Sequence, residues 1–325
     1  MRRREFMALL GSAAATWPLA LHAQQPERVR RVGVVLEGGP YRAGVDGLRE
    51  GLKAAGLEEG QRLALIVRDT EGDLSAVEAA ARALEHDDGV DLIVAFAASV
   101  TLAVRRSTAN VPIVFITGSD PVALGLVETI ARPGGRLTGV HNINTDLMPK
   151  RFELLRELMP SLRRAVTFYD PSNRSATSSL ASAQDAARHL EIDLIQQPVK
   201  SPEEIRKRLD ALRAGDADAY VFISDAMVLS QASLILERAN ALRMATMAWV
   251  DLVRRGALVG YGFNYRDLGR RAAGYVSRIL AGAHPSDLPV EAISVPELVI
   301  NLKTAKALGI EVPPSLLARA DEVIE

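Results

Sequence analysis

The chain has 325 residues, 48 % hydrophobic and 24 % charged, with no cysteine and a formal net charge of -1. These proportions exclude an extended disordered chain and a disulfide scaffold, and the lack of a basic excess argues against a nucleic-acid binder. The length suits two domains whose cores need no covalent staple.

At the start, Arg2, Arg3 and Arg4 precede Phe6, an apolar and small-residue run from Met7 to Leu21, and Ala23 before Gln24. This order predicts a removable secretory signal over residues 1–23 and hence a periplasmic protein. The arginine pair also fits the twin-arginine export variant. No later run is long and apolar enough to span a bilayer.

The next apolar run, Val29 to Leu36, ends in Glu37-Gly38-Gly39-Pro40, and Val45, Leu48, Leu52 and Ala55 then recur at helical spacing. A strand at Leu63 to Val67 precedes a helix carrying Val77, Ala80, Ala81 and Leu84, and Asp91 to Phe96 and Ile113 to Ile116 supply two more strands. Such runs are apolar throughout, as in parallel sheets covered on both faces. Arg132-Pro133-Gly134-Gly135 is a turn signal, and Leu137 to Ile143 is expected to cross to a second unit.

The rhythm then restarts. Arg164 to Asp170 echoes the first strand and Ala176 to Leu190 gives a helix; Leu194 and Ile195, a helix from Pro202 to Leu212, and Asp218 to Ile223 continue the echo. A late strand at Leu258 to Tyr261, a helix near Leu268 to Leu280 and a tail complete the chain. The expected fold is α/β, with two doubly wound parallel-sheet lobes joined by a hinge. Residues 28–142 plus about 259–284 are assigned to the N-terminal lobe, and 143–258 plus about 285–325 to the C-terminal lobe.

Open parallel sheets bind ligands at the carboxyl ends of their strands. The polar residues expected there are Glu37, Ser99 and Thr101, Asp120, Asn173 and Ser175, Ser224 and Asp225, and Tyr261. Ser99, Thr101 and the N–H groups of their helix suit a carboxylate, and Asp120 or Asp225 an ammonium. Tyr41, Tyr261 or Phe263 suits an apolar wall. Asp120 and Asn173 equally suit helix or turn capping, and Ser99 and Thr101 a first helical turn. Asp225 is backed by Ala226, Met227 and Val228, where a carboxylate needs a donor.

Longer blocks carry a resemblance. Ile113 to Val122, Gly125-Leu126-Val127, Ala131 to Gly135 and Leu137 to Val140 resemble the periplasmic substrate-binding proteins of ABC importers grouped with tryptophan and tyrosine uptake. So do Lys150 to Leu155, Tyr169 to Asn173, Glu297 to Gly309 and Pro313 to Ile324. The resemblance implies a type I periplasmic-binding-protein fold, three hinge crossings and a ligand between the lobes, near Ser99, Asp120, Asn173 and Asp225. Two ligand-facing loops, Phe96 to Ser99 and Ser224 to Met227, depart from the commoner family pattern, so the fold carries over more firmly than the ligand.

The function so implied is capture of a small solute, amino-acid-like or an aromatic acid, by a monomer that delivers it to an ABC permease in the inner membrane. Neither a cofactor nor a metal is expected. An enzyme is disfavoured, since there is no cysteine nucleophile or Gly-x-Ser-x-Gly turn and the five histidines are scattered. A ligand-binding sensor coupled to a receptor is the alternative on the same fold.

Overall fold

The computed structural model describes residues 29–325. The export segment expected at residues 1–23 lies outside the described residues. The first lobe contains β1 (Arg30–Leu36), α1 (Tyr41–Ala54), β2 (Leu63–Asp69), α2 (Leu74–His86), β3 (Leu92–Phe96), α3 (Ala98–Ser107), β4 (Ile113–Thr117) and β5 (Leu137–His141). The second opens with α4 (Met148–Leu158), β6 (Arg164–Tyr169), α5 (Arg174–His189), β7 (Asp193–Pro198), α6 (Pro202–Ala211) and β8 (Ala219–Val221). It continues through α7 (Ala226–Ser230), α8 (Ala232–Ala241), β9 (Ala245–Ala248), α9 (Val250–Val253) and β10 (Val259–Gly262). Helix α10 (Tyr265–Leu280) and β11 (Glu291–Ala292) return to the first lobe, and β12 (Glu297–Asn301), α11 (Leu302–Leu308), α12 (Pro314–Leu317) and β13 (Glu322–Ile324) end in the second.

The first sheet has six strands in the order β11-β5-β4-β3-β1-β2, all parallel. The second has seven, β13-β12-β10-β9-β8-β6-β7, parallel except for the β10–β12 pair. In each, the strand order reverses between the first strand of the lobe and its third, the topological switch point of a doubly wound fold. The same device ties both switch points. Asp91, just before β3, accepts the Arg31 N–H at 2.7 Å, and Asp218, just before β8, accepts those of Arg163 and Arg164 at 2.8 Å each. Burial follows the strand period of two: Val166, Phe168, Tyr220 and Phe222 pack into one core, and Ala165, Ala219, Val221 and Ile223 into another on the opposite face.

Three segments fall differently from the sequence expectation. Leu137–His141 is a strand, and the first crossing comes just after it. Val259–Gly262, expected in the first lobe, pairs with β9 and β12 in the second sheet. Gly260 permits this, because a Cβ there would stand 2.6 Å from Val253 and 2.9 Å from Val250 of α9. Glu291–Ala292, expected in the second lobe, extends the first sheet beside β5. The chain thus passes between the sheets after β5, after β10 and after β11.

Helix α10 anchors the returning chain by packing on α1, β4 and β5. Glycines set that approach: a Cβ on Gly47 would run into the Arg266 carbonyl, and one on Gly269 into the Gly44 carbonyl. Isolated helices with these glycines are weakened by about 1 kcal/mol each, so the close packing must more than offset the loss. Gly47→Ala is expected to lower the unfolding free energy by about 1–3 kcal/mol despite the better helix propensity of alanine. Urea unfolding checks this, and an unchanged midpoint would mean that the helices part without cost.

Candidate binding cleft

The lobes meet over a narrow cavity of about 20 Å³ at the carboxyl ends of both sheets. Its walls come from Ala97 and the start of α3 (Ala98, Ser99), the loop after β4 (Gly118, Ser119), the start of α5 (Asn173, Ser175), and Ser224 after β8 with Ala226 at the start of α7. Tyr41, Asn144, Trp249 and Tyr265 complete the hinge side. The lobes touch. Ser119 Oγ and Ser175 Oγ are 2.9 Å apart, Gln231 Nε2 donates to the Glu71 carbonyl at 3.3 Å, and Gly39 lies against the Leu229 carbonyl where no Cβ would fit. Much of the cavity is no wider than a water molecule, so a solute of amino-acid size requires the lobes to part and reclose around it.

Helix α3 opens onto this space without a side-chain cap. The residue before it, Ala97, holds φ 83 and ψ 155, a conformation that strains any residue with a Cβ and is characteristic of ligand clamps. The first N–H groups of a helix have no intrahelical partner and carry the positive end of its dipole. Beside them, Ser99 Oγ donates to Glu37 Oε2 at 3.2 Å.

Two carboxylates from different lobes are buried at the outer end, Glu37 at 1 % exposure and Asp225 at 0 %. Burial, reinforced by the charge of Asp225, pushes Glu37 from 4.5 up to about 8, with the Ser99 hydroxyl pulling the other way. Burial likewise raises Asp225 to about 6, restrained by the N–H groups of Asp170 at 2.7 Å and Val228 at 3.2 Å. Both line a wider hollow at the mouth, which also carries Asp73 and Asp170. Its field attracts cations.

At the hinge end the polarity reverses. Arg151 of α4 is wholly buried, and burial lowers its pKa to about 10, so it remains a cation at neutral pH. Its Nε donates to the Tyr261 carbonyl at 2.7 Å, its Nη2 to Asn144 Oδ1 at 3.3 Å, and its guanidinium lies 4.4 Å from the centroid of the Trp249 ring.

Of the residues expected from sequence, the cleft brings together Glu37, Ser99, Asn173, Ser175, Ser224 and Asp225. Asn173 realises both roles left open, accepting the Ser175 N–H at 3.0 Å as cap of α5 while lining the cavity. Thr101 is elsewhere: two residues along a helix from Ser99, it faces away and its hydroxyl donates to the Ala97 carbonyl at 2.7 Å. Asp120 is exposed and accepts the N–H groups of Val122 and Ala123, capping its own turn. The Tyr261 side chain packs on the core of the second lobe, and only its carbonyl turns to Arg151. Tyr41 is in the cavity wall, whereas Phe263 lines a separate hollow. Sequence reasoning missed Asn144, Trp249, Tyr265 and Arg151.

A family model described as ABC transporter substrate binding protein matches residues 31–324. The tyrosine-binding protein of Clostridioides difficile is 24 % identical over 266 residues, 82 % of this chain and 76 % of that relative. The structure of an ABC domain from Streptococcus pneumoniae in complex with L-Trp superposes with a TM-score of 0.79 at 25 % identity, covering 91 % of this chain and 99 % of that one. A conserved domain protein from Vibrio cholerae reaches a TM-score of 0.81 at 28 % identity, over 91 % of this chain and all of the other. The fold is that of the type I periplasmic binding proteins. With the family model spanning both lobes and the cleft between them, the chain belongs to the ABC transporter substrate-binding protein family, whose members bind solutes and are not enzymes.

Proposed function

We propose that this protein is the periplasmic solute-binding component of an ABC importer, exported by the signal at residues 1–23, and that its cargo is an amino acid with an aromatic side chain. The carrying observation is a cavity closed from both lobes, with free helix N–H groups and Ser99 beside two buried carboxylates and three aromatic residues on the far wall. A zwitterion answers this pattern. Its carboxylate meets the first turn of α3, its ammonium meets Glu37 and Asp225, and its side chain lies against Tyr41, Trp249 and Tyr265. The tyrosine and tryptophan named for the two relatives support the same class. The protein acts as a monomer, and the closed pair of lobes is the form that an inner-membrane permease recognises.

Thermal melts of the chain from Gln24 onward, with and without tyrosine, tryptophan or phenylalanine, test the reading. At a hundredfold excess over the dissociation constant the bound solute adds about 2.7 kcal/mol of stability. Tyramine, which lacks the carboxylate, and the corresponding acid lacking the ammonium are expected to bind at least about tenfold more weakly. A folded protein that none of the amino acids stabilises would overturn the proposal.

Binding is also expected to depend on pH, with a defined sign. Glu37 is protonated at pH 7 in the empty cleft, because its folded pKa of about 8 lies above its ordinary 4.5. The empty protein therefore loses stability as pH rises from about 4.5 to about 8. An ammonium pairs with the ionised form, so solute affinity rises over pH 6 to 8 and binding releases protons. Calorimetry in buffers of different ionisation enthalpy measures the release, and Glu37→Gln is expected to abolish most of it.

A further inference from the structure

We propose that Arg151, acting from behind the wall of the cleft, makes the hinge end of the cavity a donor surface and thereby selects solutes whose distal end carries a hydrogen-bond-accepting oxygen. This rests on the reading of the cleft as a solute site.

A buried arginine is ordinarily paired with a carboxylate. No acidic side chain is within ion-pair distance of Arg151 among the described residues; its partners are a carbonyl, an amide oxygen, the Met148 sulfur and the face of Trp249. The charge therefore acts on what lies next to it, and Asn144 and Trp249 both stand between it and the cavity.

Its effect on Asn144 is geometric. A guanidinium has donors and no acceptor, so the amide must present Oδ1 to it. That fixes the flip of the amide, and Nδ2 is turned toward the neighbouring Gly118, whose carbonyl also accepts the Asn144 N–H at 3.0 Å. Trp249 is 1 % exposed, and its Nε1 makes no hydrogen bond of normal geometry, with the Tyr265 hydroxyl close by. A buried donor in that condition lacks a mate that a solute oxygen can supply. The guanidinium over the ring face adds a positive field along the same direction. Phenol and carboxylate oxygens share the chemistry that would satisfy these groups, and a methyl or a bare ring does not.

A residue that only pinned the hinge would have no bearing on solute choice. Asn144→Asp separates the two roles: it keeps an oxygen for Arg151 and adds the opposite charge, while removing the Nδ2 donor and neutralising the positive field. The measurement is the dissociation constant, by calorimetry, for two matched pairs, tyrosine with phenylalanine and glutamate with norvaline. The wild type is expected to favour the oxygen-bearing member of at least one pair by about tenfold or more, as sites built around donors do. N144D is expected to melt no lower than wild type and to reduce that ratio to near one. Should N144D fold poorly, Arg151→Lys serves instead, because a point cation cannot hold the Asn144 amide and the Tyr261 carbonyl together, and it too should lose the preference. Equal binding within both pairs, or a preference that survives in both variants, would overturn the role of Arg151 while leaving solute binding intact. If none of the four solutes binds, while other amino acids also fail to stabilise the protein, the cleft reading falls and this inference with it.

Discussion

One buried guanidinium ties the first crossing to the second lobe. Arg151 is carried by α4, the first helix of the second lobe, and reaches the Tyr261 carbonyl near the end of β10, the amide of Asn144 in the first crossing and the ring of Trp249 just after β9. Two of the three crossings begin at those contacts. A planar fork with donors at fixed angles can hold them in one arrangement, which a flexible ammonium cannot. The hinge and the inner wall of the cavity are thus built by the same side chain.

Desolvation gives the rest of the cleft its character. Residues at the carboxyl ends of the strands are polar by position, since the ladder ends there and helix N-termini converge. When the lobes close, these groups leave water together. Glu37 keeps one hydroxyl and rises to about 8, whereas Asp225 keeps two backbone N–H groups and stops near 6. Both are raised by burial, and they differ because the charge of Asp225 pushes Glu37 further up while Asp225 retains more donors.

Much of this was legible in the chain and some was not, for identifiable reasons. The strands β1, β3, β4 and β6 announce themselves as apolar runs, and the repeated aspartate before β3 and β8 marks the second lobe as a copy in plan of the first. β9 is Ala-Thr-Met-Ala, a composition with little strand signal, so the position of Trp249 at a strand end stayed hidden. Which sheet β10 and β11 join depends on long-range pairing, to which local pattern is blind. Of the residues named by the strand-end rule, Glu37, Ser99, Asn173, Ser175, Ser224 and Asp225 line the candidate cleft. The rule misplaced Thr101, since residues two apart on a helix point opposite ways, and Asp120, whose turn satisfies it locally. Arg151 escaped because nothing in one dimension distinguishes a buried arginine from an exposed one on an amphipathic helix.

Closure is then a balance between small gains and concentrated losses. Two of the contacts that join the lobes are neutral, the Ser119–Ser175 pair and the Gln231 amide on the Glu71 carbonyl, and bonds of this kind contribute about 1 kcal/mol each. Against them stand two acids held from water at one end of the cavity and a cation without a counter-ion at the other. On the proposed reading, a solute with a cationic group and an acceptor, spaced to reach both ends, would pair the acids and give the donors in front of Arg151 an oxygen, and it could do so only when both lobes surround it. Such a solute would bind the closed form more tightly than the open one by that difference, and differential affinity is what moves a population between two states. A solute carrying only one of the two groups leaves the other end of the cavity unpaired. The same electrostatics that burden the empty closed form make closure report that a complete ligand is bound.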